Sequence, residues 1–326
     1  MISRSERRPH ATPWARRDPA RRRWTRYSDR TFYLFIAPWL LGFVGLTVIP
    51  LAYALLVSFT TYDGISPRWH WIGLENYREL VGDPDTWWSL GRTLLYMAIT
   101  VPLGLAGGLG LALLLNQRVR AVGLFRTIFY IPAVVPVVSA AIMFQILFDR
   151  DTGIVNALLG WAGGPPLSWL TDPLAFVALI VMVLWALGGG MVLFLAGLQG
   201  IPTELREAAA IDGAGPVQTF RSVILPLLTP VILFVVITGV IASLQTVIQP
   251  LLLAQTNGGT PDPSVVPRGN TLYMVNVYSQ IFSYQRLGYG SALLWVLFLV
   301  VLVITLVVFR SGRLWVYYEV SQGKGG

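Results

Sequence analysis

The chain has no cysteine, so disulfides, thiolate metal sites and cysteine nucleophiles are excluded. It has two histidines, His10 and His70, which leaves almost nothing for histidine catalysis or zinc binding. Its single lysine is Lys324, followed by Gly325. A phosphate loop needs Gly-x-x-x-x-Gly-Lys-Ser/Thr, so this chain cannot itself burn ATP. Charge is also scarce: 12% of the 326 residues are Asp, Glu, Lys or Arg, against about 25% in a soluble domain. Hydrophobic residues make up 55%. That leaves too little polar surface to coat a water-soluble globule, and the composition points to an integral membrane protein.

The net charge of +8 is almost all in one place. Residues 1–30 hold ten arginines against Glu6, Asp18 and Asp29, and the remaining 296 residues are nearly neutral. This segment carries Pro9, Pro13 and Pro19, few apolar residues and no periodicity, so it reads as a disordered basic tail. It lacks the apolar core and cleavage site of a signal peptide. A cytoplasmic topology anchor that touches anionic lipid is the expected role, and a nucleic-acid arm is the alternative. No nucleic-acid partner is expected.

A bilayer core takes about 20 apolar residues as a helix. Charge-free windows of that order run over 31–62, 93–117, 127–148, 152–171, 173–203, 222–261 and 287–309. The window 152–171 contains four glycines and Pro165-Pro166, which would free hydrogen-bonding groups that lipid cannot satisfy. It is read as a surface or re-entrant segment, and six spans remain. Threading them with the tail inside puts eighteen bases on the inner side and six on the outer. Both termini are therefore expected in the cytoplasm. Trp69, Trp71, Trp87 and Trp88 in the first outer loop fit an interfacial aromatic belt. No window holds an ionisable residue, which disfavours an ion-coupled carrier or an enzyme with an intramembrane acid.

Residues 201–230 read IPTELREAAAIDGAGPVQTFRSVILPLLTP. Thr203 is placed to cap a short helix, with Glu204 in the first turn where the helix dipole favours an acid. Glu207-Ala208-Ala209-Ala210 is a strong helix former with a nearly bare face. Gly213, Gly215 and Pro216 predict a stop and a tight turn. A second short helix with Phe220 and Arg221 then leads to Leu225-Pro226 at the mouth of the fifth span. The alanines let a partner surface approach closely, and Glu207, Asp212 and Arg221 offer directional contacts. From these residues alone, a plain amphipathic juxtamembrane loop is the stronger reading.

The run Glu207-Ala208-Ala209, Gly213, Leu225-Pro226 resembles the coupling-loop signature of binding-protein-dependent ATP-binding-cassette importer permeases. That signature is Glu-Ala-Ala, three residues, Gly, nine residues, Ile, one residue, Leu-Pro, and Val223 stands at the isoleucine position. Other marks are similar to the carbohydrate branch, of maltose and glycerol-phosphate type. They are Gly73-Leu74-Glu75-Asn76-Tyr77, Ala112-Leu113-Leu114-Leu115-Asn116, Phe125-Arg126-Thr127 with Pro132, and Thr256-Asn257-Gly258-Gly259, where Thr260 separates the glycines from Pro261. The resemblance implies an all-α membrane protein of six transmembrane helices with the type I importer permease fold. Residues 31–326 would be the permease domain, with its coupling loop at about 199–226. It implies a non-catalytic subunit of the bacterial cytoplasmic (inner) membrane, with three kinds of partner. These are a homologous second permease, a cytoplasmic ATPase dimer and an extracytoplasmic solute-binding protein. No cofactor is expected on this chain, since ATP and Mg would be used by the ATPase.

A sugar pathway needs hydrogen-bonding groups and aromatic faces near the midplane. The fifth span offers Thr238, Ser243, Gln245, Thr246 and Gln249, with Gln245 and Gln249 four apart and so expected on one helical face. Such polar groups also serve as bonds between helices. The fourth span offers Trp185 as a stacking platform, ahead of Gly188-Gly189-Gly190. Segment 269–285, with Tyr273, Asn276, Tyr278 and Tyr284, is expected at the outer face. Rivals are an ATP-independent carrier or channel for small polar solutes, and a membrane glycosyl-transfer enzyme using Asp149/Asp151 or Asp83/Asp85.

Overall fold

The computed structural model describes residues 29–67, 69–117, 120–254 and 262–317. Most of the basic tail 1–30, Arg118 and the Thr256-Asn257-Gly258-Gly259 motif lie outside the described residues. The chain divides into two compact units, Met1–Ala52 and Tyr53–Gly326. The described part of the first belongs to α1 (Arg30–Val57), an apolar helix with a π-turn at Val44–Val48. Its Leu34, Phe35, Leu41 and Leu46 stand exposed, as befits a surface turned to lipid rather than water.

The second unit is helical throughout its described elements. It contains α2 (Glu75–Gly82), α3 (Pro84–Leu115), α4 (Val122–Val134), α5 (Val137–Leu147), α6 (Ile154–Trp161), α7 (Ala175–Trp185) and α8 (Gly188–Gln199). Then follow α9 (Thr203–Ile211), α10 (Pro216–Leu244), α11 (Ile248–Leu253), α12 (Tyr273–Tyr278) and α13 (Leu287–Trp315). Among the described residues, α1, α3, α10 and α13 are long and apolar enough to cross a membrane. The bent pairs α4/α5 and α7/α8 raise the number to six if each pair is one span.

Several elements depart from the sequence windows for reasons the prolines and glycines supply. The third window is not one helix: α4 and α5 meet at 98°. Val135 precedes Pro136 and is forced out of the helical region, to ψ 128°. The window 173–203 bends by 41° between Trp185 and Gly188. There Gly188 lies so close to the Phe129 carbonyl that a Cβ would collide with it, so the glycine run serves both bend and close approach. The helix of the fifth span, α10, ends at Leu244, well short of residue 261. The chain restarts at Ile248, with Pro250 in the first turn of α11, where its missing N–H costs no intrahelical bond. The helix of the second span, α3, starts early, at Pro84, where Asp83 accepts from the Asp85 N–H at 3.0 Å. It therefore carries Asp85 and Arg92, which the charge-free window left out.

Helix α3 packs along α8 and α10. Ala112, Leu115, Met191, Phe194, Leu198 and Leu228 form one buried cluster there. A second cluster joins α3, α5, α7 and α11 through Tyr96, Phe144, Phe176, Leu179 and Leu251. Near the start of α3 the loops are fastened by buried polar groups. Asn76 Nδ2 donates to the carbonyls of Ser58 and Thr60 at 2.8 and 3.0 Å, and Tyr77 Oη lies 2.7 Å from Ser58 Oγ. Arg92 Nε donates to the Gly269 carbonyl at 2.9 Å, with its guanidinium 3.9 Å from the Phe176 ring centre. Segment 152–171 is a short helix and a loop, held by Asn156 to Leu167 and Trp169.

Candidate functional site

Two places gather the residues expected to matter. The first is the turn between α9 and α10. Pro202, not Thr203, occupies the N-cap of α9, and Thr203 is already helical and makes no capping bond. The helix end is built as expected. Gly213 adopts φ +80°, the left-handed region that glycine enters without a Cβ penalty. Its N–H bonds the Ala210 carbonyl, and the Ala214 N–H bonds the Ala209 carbonyl at 2.9 Å, a Schellman closure. Gly215 is the N-cap of α10 with Pro216 at its first position. The separate second helix does not exist: Pro216–Leu244 runs on through a π-turn at Phe220–Ile224. Arg221 sits in that turn, and Leu225-Pro226 follow it directly.

No residue of α9 is buried. Glu204, Glu207, Ala208, Asp212, Gly213, Gly215 and Arg221 are exposed, and Ala209 is half-buried. Among the described residues none of Glu204, Glu207, Asp212 and Arg221 is in an ion pair. Ile211 (86% exposed) and Val217 (66%) add bare apolar side chains to the same turn. A rigidly capped turn with unpaired charges beside exposed apolar groups is suited to a protein partner. One residue here had been passed over: Arg206 reaches back and donates from Nη2 to the Leu198 carbonyl at 3.0 Å. Its signal was Pro202, four residues after Leu198, which cannot supply the usual backbone donor.

The second place lies around the break between α7 and α8. Trp185 and Gln249 line one cleft of about 160 Å³ with Pro132, Ala133, Val137 and Met182. Trp185 also borders a hollow of about 590 Å³ with Gly107, Phe129, Leu187 and Gly188. Its ring meets Phe144 edge-on at 5.7 Å. Gln245 and Gln249 do not share a helical face, because α10 ends at Leu244 and Gln249 belongs to α11. Ser243 is buried with its Oγ 3.3 Å from Thr100 Oγ1, a bond between helices, at the edge of a third cleft of about 230 Å³. Thr246 is buried and donates to the Ala242 carbonyl. Thr238 is exposed and donates to Phe234 on its own helix. The structure thus brings Trp185 and Gln249 together, places Ser243 in a neighbouring cleft, and leaves Thr238, Gln245 and Thr246 apart from them. Thr100 was missed, since a lone threonine in a span carries no distinguishing pattern.

Segment 269–285 is largely packed inside the chain. Tyr273 is fully buried and donates to the Leu293 carbonyl at 3.0 Å, and Asn276 is buried as well. Tyr284 remains exposed, beside a polar cleft of about 290 Å³ lined by Asp83, Asp85, Trp88, Arg268 and Gln280. The acid pairs do not look catalytic. Hydrogen bonds from the Thr152 backbone and hydroxyl hold the Asp149 carboxyl below its ordinary range, opposite to the upward shift a general acid needs. Asp83 accepts from Thr86 and Tyr289 and serves as a helix cap.

Residues 101–315 match the family model described as "binding-protein-dependent transport system inner membrane component". The chain is 38% identical over 295 residues to the probable ABC transporter permease protein YesP of Bacillus subtilis, covering 89% of this chain and 93% of that one. It is 31% identical over 283 residues to the trehalose/maltose transport system permease protein MalF of Thermococcus litoralis, covering 86% and 93%. Its fold is similar to a chain of the bacterial alginate ABC transporter solved with an alginate pentasaccharide-bound periplasmic protein. The TM-score is 0.77 at 21% identity, over 87% of this chain and 94% of that one.

Proposed function

The chain belongs to the family of binding-protein-dependent transport system inner membrane components, and on that premise we propose that it forms half of a pathway importing a carbohydrate. It is a permease subunit, and ATP is hydrolysed by a separate subunit. In this reading six spans, with α4/α5 and α7/α8 each counted once, cross a bacterial cytoplasmic membrane with both termini inside. A homologous permease supplies the other half of the pathway. A cytoplasmic ATPase dimer, which uses ATP and Mg, docks on residues 203–222, and an extracytoplasmic binding protein delivers the solute. Two relatives of the family are named for saccharides, which supports a sugar as the cargo.

The observation that carries the reading is the exposed, Schellman-capped turn at 203–215. Among the described residues Glu207 and Asp212 in it, and Arg221 just beyond it, are in no ion pair, while hydrogen bonds close its backbone. Trp185 and Gln249 supply an aromatic face and an amide to one cleft, the pair of groups a neutral sugar needs. Purification from native membranes in mild detergent tests the whole. An ATPase and a second permease should accompany the chain, and a sugar-loaded binding protein should stimulate ATP hydrolysis. A purified chain that moves sugar into liposomes by itself would overturn the proposal in favour of an ATP-independent carrier.

A further inference from the structure

We propose that Arg206 is the tie through which the docking helix α9 moves α8, and with it the Trp185 cleft. This rests on the docking role given above to residues 203–222. Helix α9 buries none of its side chains, so it is not held to the bundle by a core of its own. Arg206 is one of its few half-buried residues, and its Nη2 donates to the Leu198 carbonyl at 3.0 Å.

That carbonyl is free for a physical reason. A helix leaves its last carbonyls without intrahelical partners, and the backbone donor four residues past Leu198 would be Pro202, which has no N–H. The Gly200 N–H is spent on Ala196 and Gly197. A cation at a helix carboxyl end is also favoured by the helix dipole. The bond is shielded: Arg206 Nε is buried and has no hydrogen-bond partner among the described residues. The guanidinium is therefore fastened at one point, to the backbone of a residue that is 1% exposed and packed in the cluster with Met191, Phe194 and Leu228.

Helix α8 is a stiff lever from that point. It has 12 residues, a length of about 18 Å at the usual rise. At its far end Gly188 is wedged against the Phe129 backbone, and Trp185 lies just across the bend. A displacement of α9 is thus delivered to the backbone of α8 rather than absorbed by a flexible loop. Arg206 is a positioning residue: it touches neither solute nor nucleotide.

The test uses the assembled transporter in liposomes and reads solute moved per ATP hydrolysed. In complexes matched for bound ATPase, Arg206→Leu should lower that ratio about tenfold, the scale of one charge-assisted hydrogen bond. Arg206→Lys keeps a cationic donor and should recover most of the ratio. Arg206→Gln keeps a neutral donor, guards against a folding defect, and should lower the ratio by about threefold. A wild-type ratio in Arg206→Leu, or a loss of ATPase binding that accounts for its defect, overturns the tie alone. Absence of any ATPase from the wild-type complex overturns the docking reading and the tie with it.

Discussion

The loops around the start of α3 and the turn at 203–222 both carry many polar side chains, yet they use them in opposite ways. In the first region the polar atoms are spent internally. Asn76 fastens two backbone carbonyls, Asp83 caps α3 and receives Tyr289, and Arg92 holds Gly269. In the second, the backbone satisfies itself through the Gly213 closure, and among the described residues Glu207, Asp212 and Arg221 are in no ion pair. A buried polar group is costly when unpaired, so the first region is specified by its side chains. An exposed one costs little, so the second can hold its charges ready for another protein. Fixed scaffold and waiting surface are therefore told apart by where their hydrogen bonds go.

The largest effect should come from breaking the scaffold. Asn76→Leu strands the Ser58 and Thr60 carbonyls in a buried site and should cost about 2–5 kcal/mol, taking the two unsatisfied groups together. A clear fall in the unfolding temperature in detergent would register it, and transport would be lost along with folded protein.

Changes in the docking turn should do the reverse, sparing the fold and losing the partner. At Gly213 a Cβ would meet nothing within 4 Å, so only the φ of +80° is at stake. Gly213→Val should strain the turn by about 1–2 kcal/mol and weaken ATPase co-purification without lowering the bundle's unfolding temperature. Glu207→Lys reverses an unpaired charge and should cost about 1–3 kcal/mol at a desolvated interface, measured as ATPase affinity. If either variant lowers bundle stability as Asn76→Leu does, the distinction between the two regions fails.

A smaller and more selective effect is expected in the cleft. Gln249→Leu should reduce uptake or change which sugar best stimulates ATP hydrolysis, whereas Gln245→Leu, outside that cleft, should transport nearly as wild type. Equal defects would remove the assignment of Gln249 to the pathway. The smallest effect belongs to an exposed charge in the scaffold region. Arg78 pairs only with Glu75 at 3.0 Å on the same helix, a contact worth about 0.5 kcal/mol or less. Arg78→Gln should leave both stability and ATPase affinity unchanged, and a defect like that of Glu207→Lys would mean exposed charge matters everywhere.

Much of this was legible in the residues alone. Hydropathy placed the apolar stretches because lipid admits only segments that satisfy their own backbone. The resemblance of the run from Glu207 to Pro226 located the turn proposed to dock the ATPase, and Gly213 was read as its stop because few other residues enter that conformation without strain. The cleft was less readable. Gln245 and Gln249 read as one face because a helical period was carried past Leu244, where α10 ends. The burial of Tyr273 and Asn276 was not legible, because a polar side chain that bonds a buried carbonyl has the same identity as one facing water.

What the sequence by itself determined was therefore local: which segments are apolar enough for lipid, and where proline and glycine stop a helix. Those follow from backbone chemistry and transfer free energy, both properties of residues and their near neighbours. Only the tertiary structure decided which polar groups are partnered. The bonds of Ser243 to Thr100, Asn76 to Ser58 and Arg206 to Leu198 join different elements, or a helix to a turn, and depend on packing. Hydrogen bonds reach about 3 Å, so they exist only once the helices and turns that carry them have been packed together.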